Sequence, residues 1–155
     1  RKALIRYVEK IKAKVINENK IYTIYYLDLD GFKLINDTYG HESGDLILKE
    51  VAKRLNFNIK EDFVARLGGD EFILVKSFKE EELLENSTTF ANLLIEEIRK
   101  PYIIQGNTMT IGCSIGGAFY PIHGEDPMEV MKLADKCLYT SKSEGKNKYT
   151  YFNIK

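Results

Sequence analysis

Neither sign of charge dominates this sequence: Lys plus Arg and Asp plus Glu number 23 each, so the basic footprint of a protein that grips nucleic-acid phosphates is missing. Two histidines, His41 and His123, leave a zinc centre almost without ligands. The two cysteines, Cys113 and Cys137, fall in a strand-like and a helix-like stretch, which favours buried reduced thiols over a disulfide or a zinc pair. No apolar run is long enough to span a bilayer and no signal-peptide pattern opens the chain, so the expected location is the cytoplasm, with any membrane anchor belonging to a longer parent protein. No repeat, linker or low-complexity segment divides the sequence. Its 155 residues suit one domain, 1–155, read as a fragment of a larger protein. A chain of that size can bury about 68–70% of its unfolded surface without a staple.

Against these absences stand two acidic stretches. Phe63-Val64-Ala65 and Phe72-Ile73-Leu74-Val75 read as the arms of a hairpin, and Gly68-Gly69 between them supplies the positive φ of a tight connection. That turn presents Asp70 and Glu71 where a backbone can approach a ligand closely. Upstream, Ile21-Tyr22-Thr23-Ile24-Tyr25-Tyr26-Leu27 is a continuous apolar and β-branched run, as expected of a strand buried on both faces, and it ends in Asp28-Leu29-Asp30-Gly31. Taken alone, Asp28 and Asp30 would be a helix-capping turn; together with Asp70 and Glu71 they suggest a site for a hard cation. An EF-hand is excluded, because the glycine falls too early in the loop and the closing bidentate Glu is missing.

Around these stretches the chain alternates helices and strands. Arg1 to Asn19 carries Leu4, Ile5, Val8, Ile11 and Val15 at helical spacing. Gly31 to Tyr39 predicts a short helix stopped by Gly40, with a second helix starting at Ser43 or Asp45 and burying Ile47, Leu48, Val51, Ala52 and Leu55. Lys79 to Lys100 reads as a helix ended by Pro101. Tyr102 to Ile104 and Thr108 to Tyr120 read as a strand pair around Gln105-Gly106-Asn107. A last helix begins near Pro127 and ends at Gly145, before an edge strand, Tyr149-Thr150-Tyr151-Phe152. This order predicts an α+β fold with a sheet covered by helices.

Leu67-Gly68-Gly69-Asp70-Glu71-Phe72, taken with Asp28-Leu29-Asp30-Gly31-Phe32-Lys33-Leu34-Ile35-Asn36-Asp37, resembles the GGDEF family of diguanylate cyclases. The likeness continues through Tyr39-Gly40-His41-Glu42-Ser43-Gly44-Asp45, Ser114-Ile115-Gly116 and the tail Ala134 to Asn147. It implies a palm-like fold of the ferredoxin-like, nucleotidyl-cyclase type, with a mostly antiparallel central sheet flanked by helices. It implies two GTP molecules joined into cyclic di-GMP by a homodimer, each subunit presenting one nucleotide, usually under an upstream sensory or regulatory domain.

The same resemblance assigns the residues. Asp28, the Leu29 carbonyl and Asp70 would hold Mg²⁺ or Mn²⁺, and Glu71 would be a further ligand or would accept the hydroxyl proton. Gly31, Phe32 and Lys33 would cradle phosphates, Lys33 adding charge in the transition state. Asn36 and Asp45 would read the guanine edge, and Lys142 and Lys146 would hold the terminal phosphates. On local grounds alone Asn36 and Asp45 could cap or pack, and the two lysines could simply complement a helix dipole. A GTP-binding domain without turnover, regulating a neighbour, is the alternative. A cyclase making a mixed purine dinucleotide and a palm-type enzyme acting on nucleic acid are weaker ones. Two departures stand out: Ile59 occupies the arginine position of the family's Arg-x-x-Asp inhibitory site while Asp62 is kept, and the family's usual opening signature does not precede Arg1.

Overall fold

The computed structural model describes residues 2–18, 20–59 and 62–154. In chain order the elements are α1 (Lys2–Glu18), β1 (Ile21–Asp30), α2 (Phe32–Tyr39), α3 (His41–Ile59), β2 (Phe63–Gly68), β3 (Glu71–Phe78) and α4 (Leu83–Arg99). They continue with β4 (Tyr102–Ile104), β5 (Asn107–Met109), β6 (Gly112–Tyr120), α5 (Pro127–Ser143) and β7 (Tyr149–Tyr151). Five strands form one sheet in the order β2-β3-β1-β6-β7, while β4 and β5 form a separate two-stranded sheet. All neighbours are antiparallel except β6 and β7, so the palm-like α+β architecture expected from the resemblance is the one observed.

The apolar run became β1 because both faces of that strand are covered. Tyr25, Leu27 and Leu29 enter the core shared with α3 and α4, while Tyr22 and Ile24 enter the core shared with α1 and α5. Gly116, opposite Tyr26 in the ladder, lies against α5 so closely that a Cβ there would meet the backbone of Ala134 and Leu138 at 2.1 Å. Asp126 caps α5, its carboxylate accepting from the Met128 N–H at 3.1 Å, with Pro127 in the first turn.

Four boundaries differ from the sequence reading. Thr108 to Tyr120 is not one strand: β5 ends at Met109 and β6 begins at Gly112. Tyr102 and Met109 pair with each other inside the α3–α4 core, and the chain leaves that layer through Thr110–Ile111 before joining β1. Helix α4 starts at Leu83, not Lys79, because its apolar face begins only there and Glu82 adopts a left-handed conformation (φ 62°). Helix α3 starts at His41, immediately after Gly40, and α5 stops at Ser143, short of Gly145. Arg1, Asn19 and the Val15 side chain of the expected first helix lie outside the described residues. Both cysteines are free and buried, and burial pushes both thiols above their usual range, as inert packing residues require. Among the described residues no helix is long and apolar enough to cross a membrane.

Candidate active site

Strand alternation sends Leu27 and Leu29 into the α3–α4 core and therefore turns Asp28 and Asp30 to the α5 face. There Asp28 stands in register with Glu71 of β3 on one side and Ser114 of β6 on the other. The hairpin connection lies one residue later than the expected Gly68-Gly69: β2 runs through Gly68, which pairs with Glu71, and the two turn residues are Gly69 (φ 52°) and Asp70. Two hydrogen bonds pin this turn. The Leu29 N–H donates to the Asp70 carbonyl at 3.2 Å, tying the turn to the end of β1, and Arg66 Nε donates to the Gly69 carbonyl at 2.8 Å.

The strand end and the turn, far apart in sequence, are thereby brought together. Burial pushes the Asp28 carboxyl up to about 6; the Lys142 hydrogen bond opposes that rise and the charge of Asp70 adds to it. Lys142 Nζ lies 3.1 Å from Asp28 Oδ2 and 3.4 Å from Asp30 Oδ1. Burial works against its charge, yet the two carboxylates hold Lys142 above the usual lysine range. Asp28 Oδ1 is buried with no hydrogen-bond partner. Among the described residues no three carboxylate, imidazole or thiol groups are drawn together tightly enough to hold an ion; the cation facing Asp28 is Lys142.

The oxygen-only donor set and the orphaned Asp28 Oδ1 nevertheless fit a hard divalent cation, which would satisfy that oxygen and offset the buried charge. Glu71 accepts from the Tyr26 hydroxyl at 3.4 Å, a contact that orients its carboxylate. Asp30 is differently employed. It accepts from Ser114 Oγ at 2.8 and 3.0 Å and from the Asn147 N–H at 3.0 Å, fastening the turn after α5 to the sheet. Lys146 sits in that turn in a left-handed conformation (φ 65°), beyond the helix end. It therefore does not share a helix face with Lys142; it lines a cavity of about 360 Å³ with Asp30, Arg99 and Asn147.

Gly31 opens α2 with φ 85°, a conformation that favours glycine, and accepts from the Ile35 N–H; Phe32 is buried and Lys33 is exposed. Asn36 meets α3 at Gly44, where a Cβ would lie 1.8 Å from Asn36 Oδ1, so only glycine permits this approach. Asn36 Oδ1 is itself buried without a partner. Asp45, in the next position, lines a cavity of about 440 Å³ with Leu48, Lys49, Ala52 and Arg66.

Sequence reasoning missed two contacts of these acids: Tyr26 on Glu71 and Ser114 on Asp30. Ser114 carried a signal, since it opens the family-like stretch Ser114-Ile115-Gly116; Tyr26 carried none, being one of several tyrosines in a strand. Asp62 accepts from Ser77 and pairs with Lys76 at 3.6 Å, while Ile59 is buried.

The environment of Asp28 yields a stability prediction. Because its folded-state pKa lies above the ordinary value, ionising it opposes folding. The penalty is absent below pH ~4 and grows until pH has risen past about 6. In EDTA, Asp28→Asn is therefore expected to stabilise the domain at neutral pH by on the order of 1–3 kcal/mol, since each tenfold change in the ionisation equilibrium is worth about 1.4 kcal/mol. The gain over wild type should shrink towards pH 4. Paired thermal melts from pH 4 to 7.5 check this, and a difference independent of pH would refute it.

A mixed sheet flanked by helices, with acids at the end of its central strand and on the adjoining β-turn, defines a palm-like domain of the nucleotidyl-cyclase type. The chain belongs to the GGDEF family: the profile described as diguanylate cyclase, GGDEF domain, matches residues 1–148. It is 40% identical over 146 residues to the bifunctional diguanylate cyclase/cyclic di-GMP phosphodiesterase MucR of Pseudomonas aeruginosa, covering 94% of this chain and 21% of that protein. It is 37% identical over 134 residues to diguanylate cyclase A of Treponema denticola, covering 83% of this chain and 34% of that one. Among solved structures, the GGDEF domain of YfiN (TpbB) from Pseudomonas aeruginosa superposes with a TM-score of 0.91 at 26% identity, covering 100% of this chain and 96% of that one. The GGDEF domain of DgcB from Caulobacter crescentus, solved in complex with c-di-GMP, gives 0.86 at 29% identity over 97% and 89%. Not every relative carries a cyclase name: PdeR of Escherichia coli, 35% identical over 136 residues, covering 87% of this chain and 20% of that protein, is named a cyclic di-GMP phosphodiesterase. The chain spans about a fifth to a third of the curated relatives it matches.

Proposed function

We propose that this domain is a diguanylate cyclase, condensing two GTP into cyclic di-GMP with release of two pyrophosphates when two copies face each other. The observation that carries the reading is the buried, partnerless Asp28 Oδ1 beside Asp70, at a strand end and a turn held together by the Leu29–Asp70 hydrogen bond. Asp28, Leu29, Asp70 and Glu71 would hold Mg²⁺ or Mn²⁺. When bound, the cation would lower the pKa of a ribose 3′-hydroxyl and neutralise charge developing on the α-phosphate.

The chain's own groups do the rest. Backbone N–H groups of Gly31, Phe32 and Lys33 at the start of α2 receive phosphate oxygens, and the exposed Lys33 ammonium balances their charge. Asn36 and Asp45 pair with the guanine edge: Asp45 accepts from N1–H and the 2-amino group, a pattern adenine does not present. Leu48 and Ala52, which line the cavity beside Asp45, offer the base an apolar wall. Lys146 takes the terminal phosphates. Lys142 neutralises Asp28 and Asp30 in the free protein, and its release towards the phosphates accompanies binding. Glu71, oriented by Tyr26, takes the hydroxyl proton or the second ligand position. Two 3′-oxygens each form a bond to the other nucleotide's α-phosphorus, and each pyrophosphate leaves with its electron pair. One subunit supplies half of the reacting pair, so turnover requires the homodimer, and the parent protein's other domains would govern its formation in the cytoplasm.

The reading is tested by fusing the chain to a dimerising helix, incubating it with GTP and Mg²⁺, and identifying products by chromatography. Cyclic di-GMP is expected. A dimerised protein that binds GTP and never turns it over would replace this reading with that of a GTP-binding regulatory domain.

A further inference from the structure

The hairpin formed by β4 and β5 stands outside the main sheet, yet both of its ends are tied to α3. At its base, Arg54 of α3 donates to the carbonyls of Glu97, Lys100 and Pro101 at 2.8 to 2.9 Å and stacks on the Tyr102 ring at 3.7 Å. At its tip, Gln105 bridges two consecutive residues of the first turn of α3. Its Oε1 accepts from Ser43 Oγ at 2.9 Å and its Nε2 donates to Glu42 Oε1 at 3.0 Å. Ser43 is 1% exposed, so this bond closes over a buried hydroxyl.

The turn that carries Gln105 argues that the glutamine is there for its reach. Gln105 (φ 49°) and Gly106 (φ 81°) both have positive φ, the signature of a type I′ connection, whose first position favours Asn, Asp or Gly. A longer side chain held in that conformation is unfavourable unless something outside the turn retains it. What retains it here is the amide bridge to α3. The bridged residues immediately precede Gly44 and Asp45, and Gly44 is the position that abuts Asn36.

We propose that Gln105 is a positioning residue for base recognition. By clamping Glu42 and Ser43 it fixes the first turn of α3, and so sets Asp45 at the distance from Asn36 that accepts guanine and rejects adenine. This rests on the proposed role of Asn36 and Asp45 in facing the base. A merely structural glutamine would serve the turn less well than glycine, and its loss would leave nucleotide selectivity untouched; a positioning glutamine controls selectivity at the expense of turn geometry.

The test is Gln105→Gly in the 155-residue chain, which removes the amide while relieving the positive φ. Melting temperature, and calorimetric affinities for GTP and for ATP with Mg²⁺ present, are measured for wild type and variant. The expected result is a melting temperature unchanged or higher, GTP bound about 3- to 10-fold more weakly, and ATP affinity unchanged. In the dimerised protein KM for GTP rises with kcat held within about twofold. Ser43→Ala, which removes the other end of the bridge, should lower the GTP-to-ATP ratio in the same direction. If wild type prefers GTP and Gln105→Gly keeps the full preference, the positioning role is overturned and the guanine reading stands. If wild type itself shows no preference for GTP, the guanine assignment fails and this inference with it.

Discussion

Asp70→Asn is expected to abolish cyclic di-GMP formation, by at least about 10³-fold, while the domain keeps its fold. Asp70 lies in the two-residue turn pinned to β1 through its own backbone carbonyl, so the substitution leaves the Leu29 hydrogen bond and the Gly69 conformation in place. What it removes is the negative charge beside Asp28, and with it a ligand in the proposed cation site. Metal stabilisation of phosphoryl transfer amounts to several kcal/mol, and each ~1.4 kcal/mol is tenfold in rate. In the proposed mechanism Asp28 and Asp70 act on one centre, so the double variant should be scarcely slower than either single one. Product chromatography on the dimerised variants, beside circular dichroism to verify the fold, decides the matter. Turnover within tenfold of wild type in Asp70→Asn would remove the metal site from the mechanism.

The second large effect is structural. Gly116→Ala is expected to destabilise the domain by roughly 4 kcal/mol, towards the extreme for a single substitution. A Cβ on Gly116 would sit 2.1 Å from the Ala134 carbonyl oxygen and 2.1 Å from the Leu138 nitrogen, and both are backbone atoms of α5. No side-chain rotation relieves such a contact; the helix itself must lift from the sheet, opening the core in which its Val130 and Ala134 pack with Ile24 and Ala118. For a domain of this size, a melting temperature lower by about 8–16 °C follows. Because α5 carries Lys142, the lift would also withdraw that ammonium from Asp28 and Asp30. Gly44→Ala makes an instructive contrast. Its clash is with the Asn36 side chain, which can swing away, so the fold is spared and the proposed base-reading group is displaced. Thermal melts separate the two cases, and a Gly116→Ala protein melting within a few degrees of wild type would show that α5 can lift from the sheet at little cost.

The regular elements were legible because their signals are local. The apolar run that became β1, the helical spacing of α5 with Pro127 at its start, and a tight glycine turn between β2 and β3, which the structure sets one residue later at Gly69-Asp70, each depend on neighbouring residues, which periodicity and turn chemistry report directly. Local signals failed where a neighbour distant in sequence decided the outcome. Thr108 to Tyr120 has strand character throughout, yet Met109 is drawn to Tyr102 and Gly112 to Asp30, in different sheets, and the strand breaks between them. Lys142 reads in sequence as a lysine complementing a helix C-terminus; the fold places it across 112 positions onto Asp30.

From its sequence alone this chain was committed to a palm-like α+β fold, to membership of the GGDEF family, and to acids standing at a strand end and on a β-turn. Those features are written in residue type and spacing, and neither changes when the chain folds. Which of the acids are free to act was decided only in three dimensions. Asp30 is consumed by Ser114 and Asn147 while Asp28 keeps an unpartnered oxygen beside Asp70, because hydrogen-bond saturation depends on which side chains the sheet and α5 bring within about 3 Å.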